Sequence, residues 1–306
     1  MTFIVKILGS NSAAPAFGRH PTAQLLQIQQ ENFLIDCGEG TQMQMQRFKV
    51  RINRIDHIFI SHLHGDHYNG LIGLLSTMHL QKRKHDLYLY GPPGLKEILS
   101  IQFKYSDTHL YYKIHFHELK NGVAEIIYDN EFISVETIPL NHRIQCSGFL
   151  FKEKAKKRRI NISSLPEYFL PSQMLALKQG EDVKDETGKV IYKNKDYTFE
   201  PKQSRSYAFC SDTAFHEKML AQIENVDLLY HESTFLHEQK ERAAQTYHST
   251  ALQAATIAKL ANVKKLLLGH YSSRYKDINP FLEEARQIFE ESYLSLEGNN
   301  VMISES

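Results

Sequence analysis

Three imidazoles and a carboxylate crowd into the six residues His62-Leu63-His64-Gly65-Asp66-His67, directly after the apolar run Ile58-Phe59-Ile60. The obvious use for titratable groups at that density is to hold metal. Residues two apart in an extended strand point to the same side, so His62 and His64 can offer two nitrogens to one ion. Gly65 permits a sharp turn. Asp66 and His67 then open the segment Asn69-Gly70-Leu71-Ile72-Gly73-Leu74-Leu75, which reads as a helix. They face another direction and can serve a second ion. Imidazole suits zinc, and carboxylate suits zinc or manganese.

Three later segments share one pattern, an apolar strand ending in a potential ligand. They are Ile138-Pro139-Leu140-Asn141-His142, Tyr207-Ala208-Phe209-Cys210-Ser211-Asp212 and Leu266-Leu267-Leu268-Gly269-His270. Sites in α/β sheets gather at strand ends, so distant segments can meet there. A lone histidine at such a place is more often a packed, hydrogen-bonded side chain. Three such endings beside a His-x-His-x-Asp-His string favour ligands. His62, His64, Asp66, His67, His142 and His270 supply six groups, and a bridging Asp212 supplies two more oxygens. That is enough for two zinc ions, each with an open position. Two such ions can activate water and stabilise the attacking and leaving oxygens of a phosphoester.

The elements that must position these groups alternate along the chain. Strands are expected at 3–8, 23–28, 32–35, 57–60, 87–90 and 132–138, with a helix over 95–103 after the Gly91-Pro92-Pro93-Gly94 break. The last hundred residues repeat that grammar, with strands at 206–210, 227–230 and 264–268 and helices over 250–261 and 280–292. Strands interleaved with helices in two halves predict a layered α/β architecture. At 306 residues, 42% hydrophobic and 23% charged, the chain suits one large core or two fused halves. No apolar run approaches a membrane span. The start, Met1 to Gly9, lacks the charged end and cleavage site of a signal peptide and reads as a strand. Three widely spaced cysteines, Cys37, Cys146 and Cys210, suggest reduced thiols and a cytoplasmic protein.

From Lys152 to Arg205 the texture changes. The basic run Lys152-Glu153-Lys154-Ala155-Lys156-Lys157-Arg158-Arg159 leads into a polar, turn-rich stretch. This segment holds 13 Lys plus Arg and 8 Asp plus Glu, a net of +5 against +1 for the whole chain. Overall charge therefore does not announce a nucleic-acid partner. A local charge run is either a solvated loop or an arm for a polyanion.

With these residues in hand, the chain resembles the metallo-β-lactamase superfamily, and within it the short-form ribonuclease Z family of tRNA 3′-processing endonucleases. Leu8-Gly9-Ser10 with Pro15 and Arg19 is similar to the first loop. Phe33-Leu34-Ile35-Asp36-Cys37-Gly38-Glu39-Gly40-Thr41-Gln42 is similar to the second motif, where an aspartate supports the ligands. Tyr90-Gly91-Pro92 matches a recurrent turn. His231-Glu232-Ser233-Thr234-Phe235 resembles a His-Glu-Ala-Thr motif, and His248-Ser249-Thr250-Ala251 a His-Ser-Thr loop that marks tRNA-processing members. Leu268-Gly269-His270-Tyr271-Ser272-Ser273-Arg274-Tyr275 resembles the final histidine motif.

The resemblance implies a four-layer αβ/βα sandwich formed by residues 1–306 as one domain, with 152–205 inserted as a flexible arm that grips the tRNA elbow. Where many such arms carry a Gly-Pro pair, this one reads Leu170-Pro171-Ser172. It implies two Zn2+ per subunit, one held by His62, His64, His142 and Asp212, the other by Asp66, His67, Asp212 and His270. It also implies precursor tRNA as substrate and a homodimer in which each arm serves the partner's site, with no membrane attachment. In the mechanism expected on this reading, Asp66 is the general base. His248, oriented by Glu232, donates a proton to the leaving 3′ oxygen. Arg274 and the hydroxyls of Ser249 and Thr250 hold the scissile phosphate. Ser249 or Thr250 is equally suited to cap the following helix. Two rivals remain open: a hydrolase of a small phosphodiester, sulfate ester or thioester, and a silent RNA-binding member of the fold.

Overall fold

Alternation makes the first strand: Phe3, Val5 and Ile7 are fully buried while Ile4 and Lys6 are only partly covered. The structure is a computed structural model that describes residues 2–305. Strands β1 (Phe3–Gly9), β2 (Ala23–Ile28), β3 (Glu31–Ile35), β4 (His57–Phe59), β5 (Leu87–Gly91) and β6 (Ile114–Glu118) come first. They are followed by β7 (Ile126–Asp129), β8 (Ile133–Pro139) and β9 (Ser147–Glu153). Four short strands come next: β10 (Arg159–Ile160), β11 (Val183–Lys184), β12 (Val190–Tyr192) and β13 (Thr198–Phe199). The chain then forms β14 (Ser206–Cys210), β15 (Leu228–Glu232), β16 (Leu266–Gly269), β17 (Ser292–Leu294) and β18 (Asn300–Met302).

Two seven-stranded sheets result, ordered β18-β1-β2-β3-β4-β5-β6 and β17-β16-β15-β14-β9-β8-β7. Their inner faces meet in an aromatic core, where Phe33 packs on Phe151 with ring centroids 5.5 Å apart and Phe59 on Phe149 at 5.3 Å. Each buried phenylalanine contributes about 1.5–3 kcal/mol relative to exposure. The outer face of the first sheet is covered by helices Thr41–Arg47, Leu71–Leu80 and Leu95–Tyr105. Leu71, Leu74, Leu75 and Met78 show the spacing that turns one helix stripe inward. Helices Ala251–Leu260 and Asn279–Arg286 cover the second sheet. The fold is thus α/β in four layers, helix, sheet, sheet, helix.

Within each sheet the strands that matter run parallel. β3, β4, β5 and β6 are parallel neighbours, and so are β14, β15, β16 and β17. Their C-terminal ends share one edge of the sandwich.

Three local expectations need correction. His62 and His64 do not lie in a strand, because β4 stops at Phe59. The Asp36 carboxylate takes the Ser61 N–H at 2.8 Å and draws the backbone out of the ladder. Asp66 and His67 sit on a separate one-turn helix, Gly65–Tyr68, which breaks before Leu71. The last helix ends at Arg286, not near 292. Ile288 and Phe289 continue its apolar spacing and pack on the same core, but Ser292 already belongs to β17.

The basic segment leaves and re-enters the second sheet at adjacent strands. Lys152 of β9 pairs with Ser206 of β14, and Glu153 N–H donates to Arg205 C=O at 2.9 Å. Two small two-stranded sheets, β10-β13 and β11-β12, lie between. At the root, Arg205 meets the buried Glu153 carboxylate at 2.7 Å, and Lys156 reaches both Glu153 and Glu305.

Candidate metal centre

Strand ends deliver the candidate ligands and the carboxylates that support them, His142 after the antiparallel-paired β8 and the others after parallel strands. β3 leads into Asp36, β4 into Ser61–His67, β14 into Asp212, β15 into Glu232 and β16 into His270. Asp36 (φ 56°) and His270 (φ 61°) both take the left-handed backbone conformation, so each half bends sharply just past its strand. Such residues cost of order 1 kcal/mol or more and persist where surroundings hold them. Asp36 is held by the Ser61 N–H, by the Ser61 hydroxyl at 2.9 Å and by His67 Nδ1 at 2.7 Å. The Asp36 loop and the histidine loop are knitted together by Cys37 N–H to His67 C=O at 2.7 Å. A Cβ on Gly38 would lie 2.3 Å from the Asp66 carbonyl oxygen, so only glycine lets these loops approach.

Two groups of ligand atoms face each other across Asp212. In the first, His62 Nε2 lies 3.1 Å from His64 Nδ1, which lies 3.1 Å from His142 Nε2. Asp212 Oδ2 is 3.5 Å from His62 Nε2 and 3.8 Å from His142 Nε2. In the second, His67 Nε2 and His270 Nε2 are 3.2 Å apart, and Asp66 Oδ2 is 3.5 and 3.4 Å from them. Asp212 Oδ1 is 3.2 Å from His67 Nε2 and 3.1 Å from His270 Nε2. The structure therefore brings together all seven residues expected as ligands, in sets His62-His64-His142-Asp212 and Asp66-His67-His270.

The chemistry of these donors fits a pair of divalent cations. His67 Nδ1 is engaged by Asp36, His142 Nδ1 by the Tyr247 carbonyl at 3.0 Å and His270 Nδ1 by Thr234 Oγ1 at 2.9 Å. Protons placed on those Nδ1 atoms leave Nε2 lone pairs facing one another, which repel unless a cation lies between them. Donors about 2.0–2.1 Å from a tetrahedral zinc stand about 3.3 Å from each other, close to the spacings here. Charge makes the same demand, since Asp36, Asp66 and Asp212 converge on one buried place. Burial pushes the His62 imidazole down to about 3. Burial also disfavours charge on His67, but Asp212, Asp66 and Asp36 outweigh it and raise that imidazole well above its ordinary value. Against burial, His270, His67 and His62 hold the Asp212 carboxyl well below the usual range.

His248 lies beside this centre, its ring 5.4 Å from that of His270 and 5.3 Å from that of His142. His248 Nδ1 donates to Glu232 Oε1 at 2.8 Å. Fully buried Glu232 also accepts the Thr213 N–H at 2.9 Å and the Thr234 hydroxyl at 2.6 Å. Thr234 Oγ1 in turn accepts from His270 Nδ1. One carboxylate thus sets the tautomer of His248 directly and that of His270 through a hydroxyl. Burial opposes protonation of His248, but Glu232 overcomes it and pushes the imidazole up to about 9.

Not every expected residue faces this space. Ser249 is buried and its hydroxyl donates to the Thr213 carbonyl at 2.7 Å. Thr250 is buried as N-cap of the Ala251–Leu260 helix, in a capping box with Gln253. Both hydroxyls are spent on the loop that carries His248, so the geometry does not offer them to a phosphate. Arg274 is exposed, and its guanidinium has no hydrogen bond or ion pair among the described residues. Three contributions escaped sequence reasoning. Ala13 N–H donates to Asp66 Oδ2 at 2.7 Å, Thr234 links Glu232 to His270, and Arg143 lies 3.2 Å from His64 Nε2. Backbone donors such as Ala13 leave no side-chain signal. Thr234 sits inside the His231–Phe235 motif, two residues after Glu232, and Arg143 directly follows the segment that ends at His142.

A curated protein of Cytophaga hutchinsonii named Ribonuclease Z is 52% identical over 305 residues, covering 100% of this chain and 97% of that one. Another so named, from Bacteroides thetaiotaomicron, is 42% identical over 303 residues, covering 99% and 96%. The crystal structure of the human tRNase Z short form superposes with a TM-score of 0.73 at 28% identity, covering 98% of this chain and 99% of that one. Bacillus subtilis YhfI, a metallo-β-lactamase fold protein, shares the fold with a TM-score of 0.69 at 17% identity over 98% of each chain. The family profile described as anti-Pycsar protein Apyc1 matches residues 3–164. That stretch includes His62 to His67 and His142 but stops before Asp212, Glu232, His248 and His270.

Proposed function

This chain belongs to the ribonuclease Z family, and from that premise we propose that it is a zinc-dependent endoribonuclease that removes 3′ trailers from precursor tRNA. The products would be a tRNA 3′-hydroxyl and a 5′-phosphorylated trailer. The observation that carries this reading is the division of Asp212, whose Oδ2 faces His62 and His142 while Oδ1 faces His67 and His270. A carboxylate shared in that way suits a two-ion phosphodiesterase. His62, His64 and His142 would hold one Zn2+, Asp66, His67 and His270 the other, and Asp212 both. Bound there, the ions supply Lewis acidity toward water and the phosphate oxygens.

The chain's own residues divide the remaining work. Asp66 is kept aimed by the Ala13 N–H, and its carboxylate takes the proton of the attacking water. His248, with Nδ1 committed to Glu232, presents Nε2 as the donor to the departing 3′ oxygen of the tRNA. Arg274 pairs with the scissile phosphate as the exposed cation of the final motif. Ser249 and Thr250 act one step back, fixing the loop that aims His248.

On the same reading, residues 152–205 form the arm that binds the tRNA body, supported by their net charge of +5. A homodimer lets each arm serve its partner's site. The three cysteines are buried and unpaired, which suits the reducing cytoplasm, and no described helix is long and apolar enough to cross a membrane.

Incubating the purified protein with a trailer-bearing precursor tRNA, with both new ends mapped to the nucleotide, tests this function. A 3′-hydroxyl at the base of the acceptor stem and a 5′-phosphate on the trailer are expected. Intact precursor in the presence of zinc, alongside hydrolysis of a small phosphodiester, would assign the chain to another substrate.

A further inference from the structure

Away from the metal centre, one end of the first sheet carries a run of cations that no carboxylate pairs among the described residues. Residues 47–54 read Arg47-Phe48-Lys49-Val50-Arg51-Ile52-Asn53-Arg54, four cations and no acid. All four cations are exposed, and none makes an ion pair or side-chain hydrogen bond among the described residues. Lys6 joins them from β1. It lies over the Phe48 ring at 5.9 Å, and Arg47 lies over the same ring at 5.6 Å.

Lys6, Lys49, Arg51 and Arg54 line a continuous strip of hollows, and Arg47 borders it across the Phe48 ring. A groove of about 570 Å³ is bordered by Gln42, Gln46, Lys49, Arg51, Asn53 and Gln81. A second, of about 270 Å³, shares Lys49 and Arg51 and adds Lys6, Gln27, Asn32 and Arg54. Asp56, in an adjoining hollow, is taken by Arg83 at 2.6 Å and His85 at 3.2 Å, so it does not neutralise the strip. Asn32 is the second residue of β3, and Arg54 precedes β4. The strip therefore lies at the opposite end of these strands from Asp36 and Ser61, about 17 Å away along a five-residue strand. It is not part of the metal site.

We propose that this strip binds the phosphate backbone of an RNA helix at a distance from the point of cleavage. Guanidinium forks and two ammonium groups spread along a groove suit successive phosphates, and the amides between them suit phosphate and ribose oxygens. Contacts of this kind add affinity without reading sequence. The identity of the polyanion as RNA rests on the function proposed above; the existence of the cationic strip does not.

The test compares the full-length protein with the variant Arg47→Gln/Lys49→Gln/Arg51→Gln/Arg54→Gln. The probe is a 12-base-pair RNA hairpin lacking a tRNA elbow, titrated across a range of NaCl concentrations. Each phosphate contact contributes nearly one unit to the slope of log K against log salt, so the variant's slope should fall by about 3. Affinity at low salt should fall about 100-fold. Hydrolysis of a small phosphodiester should be unchanged, which separates this result from damage to the metal centre or failure of the hydrolase reading. Neutralising Lys104, Lys113, Lys218 and Lys259, exposed cations elsewhere, should leave the slope intact. A strip variant that keeps the wild-type slope overturns the proposal, whether or not it loses binding to phosphatidylserine vesicles or changes its oligomeric mass. So does an equal loss in the control variant.

Discussion

His248 Nδ1 and Glu232 Oε1 meet at 2.8 Å, a partly buried imidazole tethered to a carboxylate that solvent does not reach. That contact commits one ring nitrogen and leaves the other for the substrate. It also raises the imidazole to about 9, so the acid form persists at neutral pH. Glu232→Gln keeps the shape but removes the charge. We expect kcat for precursor cleavage to fall about 100-fold with KM nearly unchanged. The basic limb of the pH–rate profile should move to lower pH, since the raised folded pKa depends on the carboxylate. An unmoved limb would make Glu232 a structural residue only.

Asp212 faces both groups of ligands, Oδ2 toward His62 and His142 and Oδ1 toward His67 and His270, whereas His64 belongs to one. Asp212→Ala should therefore lose both ions, and His64→Ala chiefly one. Elemental analysis of protein purified without chelator should read about two, about one and near zero zinc ions for wild type, His64→Ala and Asp212→Ala. Chelation of the wild type should also lower Tm, because the ions bind the folded arrangement and not the unfolded chain. Retention of two ions by Asp212→Ala would refute the shared-ligand arrangement.

Much of this centre was legible because ligand chemistry writes itself into residue types. His62, His64, Asp66 and His67 announce themselves by density, and His142, Asp212 and His270 by ending apolar runs. Apart from His142, which follows the antiparallel-paired β8, their convergence follows from parallel strands sharing an edge, which interleaved strands and helices imply. What stayed hidden depends on backbone and on side-chain direction. The Asp36 carboxylate ends β4 early, so the strand-based argument for His62 and His64 reached a correct juxtaposition by a wrong route. The Ala13 N–H carries no side-chain signature. Ser249 and Thr250 carry hydroxyls that a phosphate would suit, and only the folded loop shows that both are already engaged.

That engagement separates two roles for Thr250. As an N-cap it accepts the Gln253 N–H at 3.2 Å while Gln253 Oε1 takes its own N–H at 2.9 Å. Thr250→Ala should destabilise the protein by about 1 kcal/mol in urea unfolding. Thr250→Asn, which can cap, should recover most of that loss, and KM for precursor tRNA should stay within about twofold in both. A large rise in KM without loss of stability would return Thr250 to the substrate-binding set.

The inserted segment can be removed with little disturbance, because its roots are paired neighbours. Lys152 lies opposite Ser206, and Glu153 N–H donates to Arg205 C=O. Replacing residues 155–203 by an Asn-Gly turn should leave both strands in register. The variant should hydrolyse a small phosphodiester at the wild-type rate yet lose precursor tRNA affinity by more than about 10-fold. Equal loss on both substrates would show that the segment supports the metal centre instead of binding RNA.

Acid should weaken the fold through His57 before it reaches most carboxylates. The ring stacks on Tyr88 at 5.1 Å and meets Tyr128 edge-on at 4.6 Å, close under the aromatic core. Burial lowers its pKa to about 4, despite the opposing attraction of Asp56. The unfolded chain binds that proton more tightly, with an ordinary value of about 6.5. The stabilisation is therefore complete above about pH 6.5 and is lost as pH falls toward 4, to a limit of about 3 kcal/mol. His57→Phe keeps the stacking without the titration. Its stability, measured by urea unfolding between pH 4 and 7, should vary less steeply than that of the wild type. Parallel pH dependences would mean that the proton is taken up elsewhere.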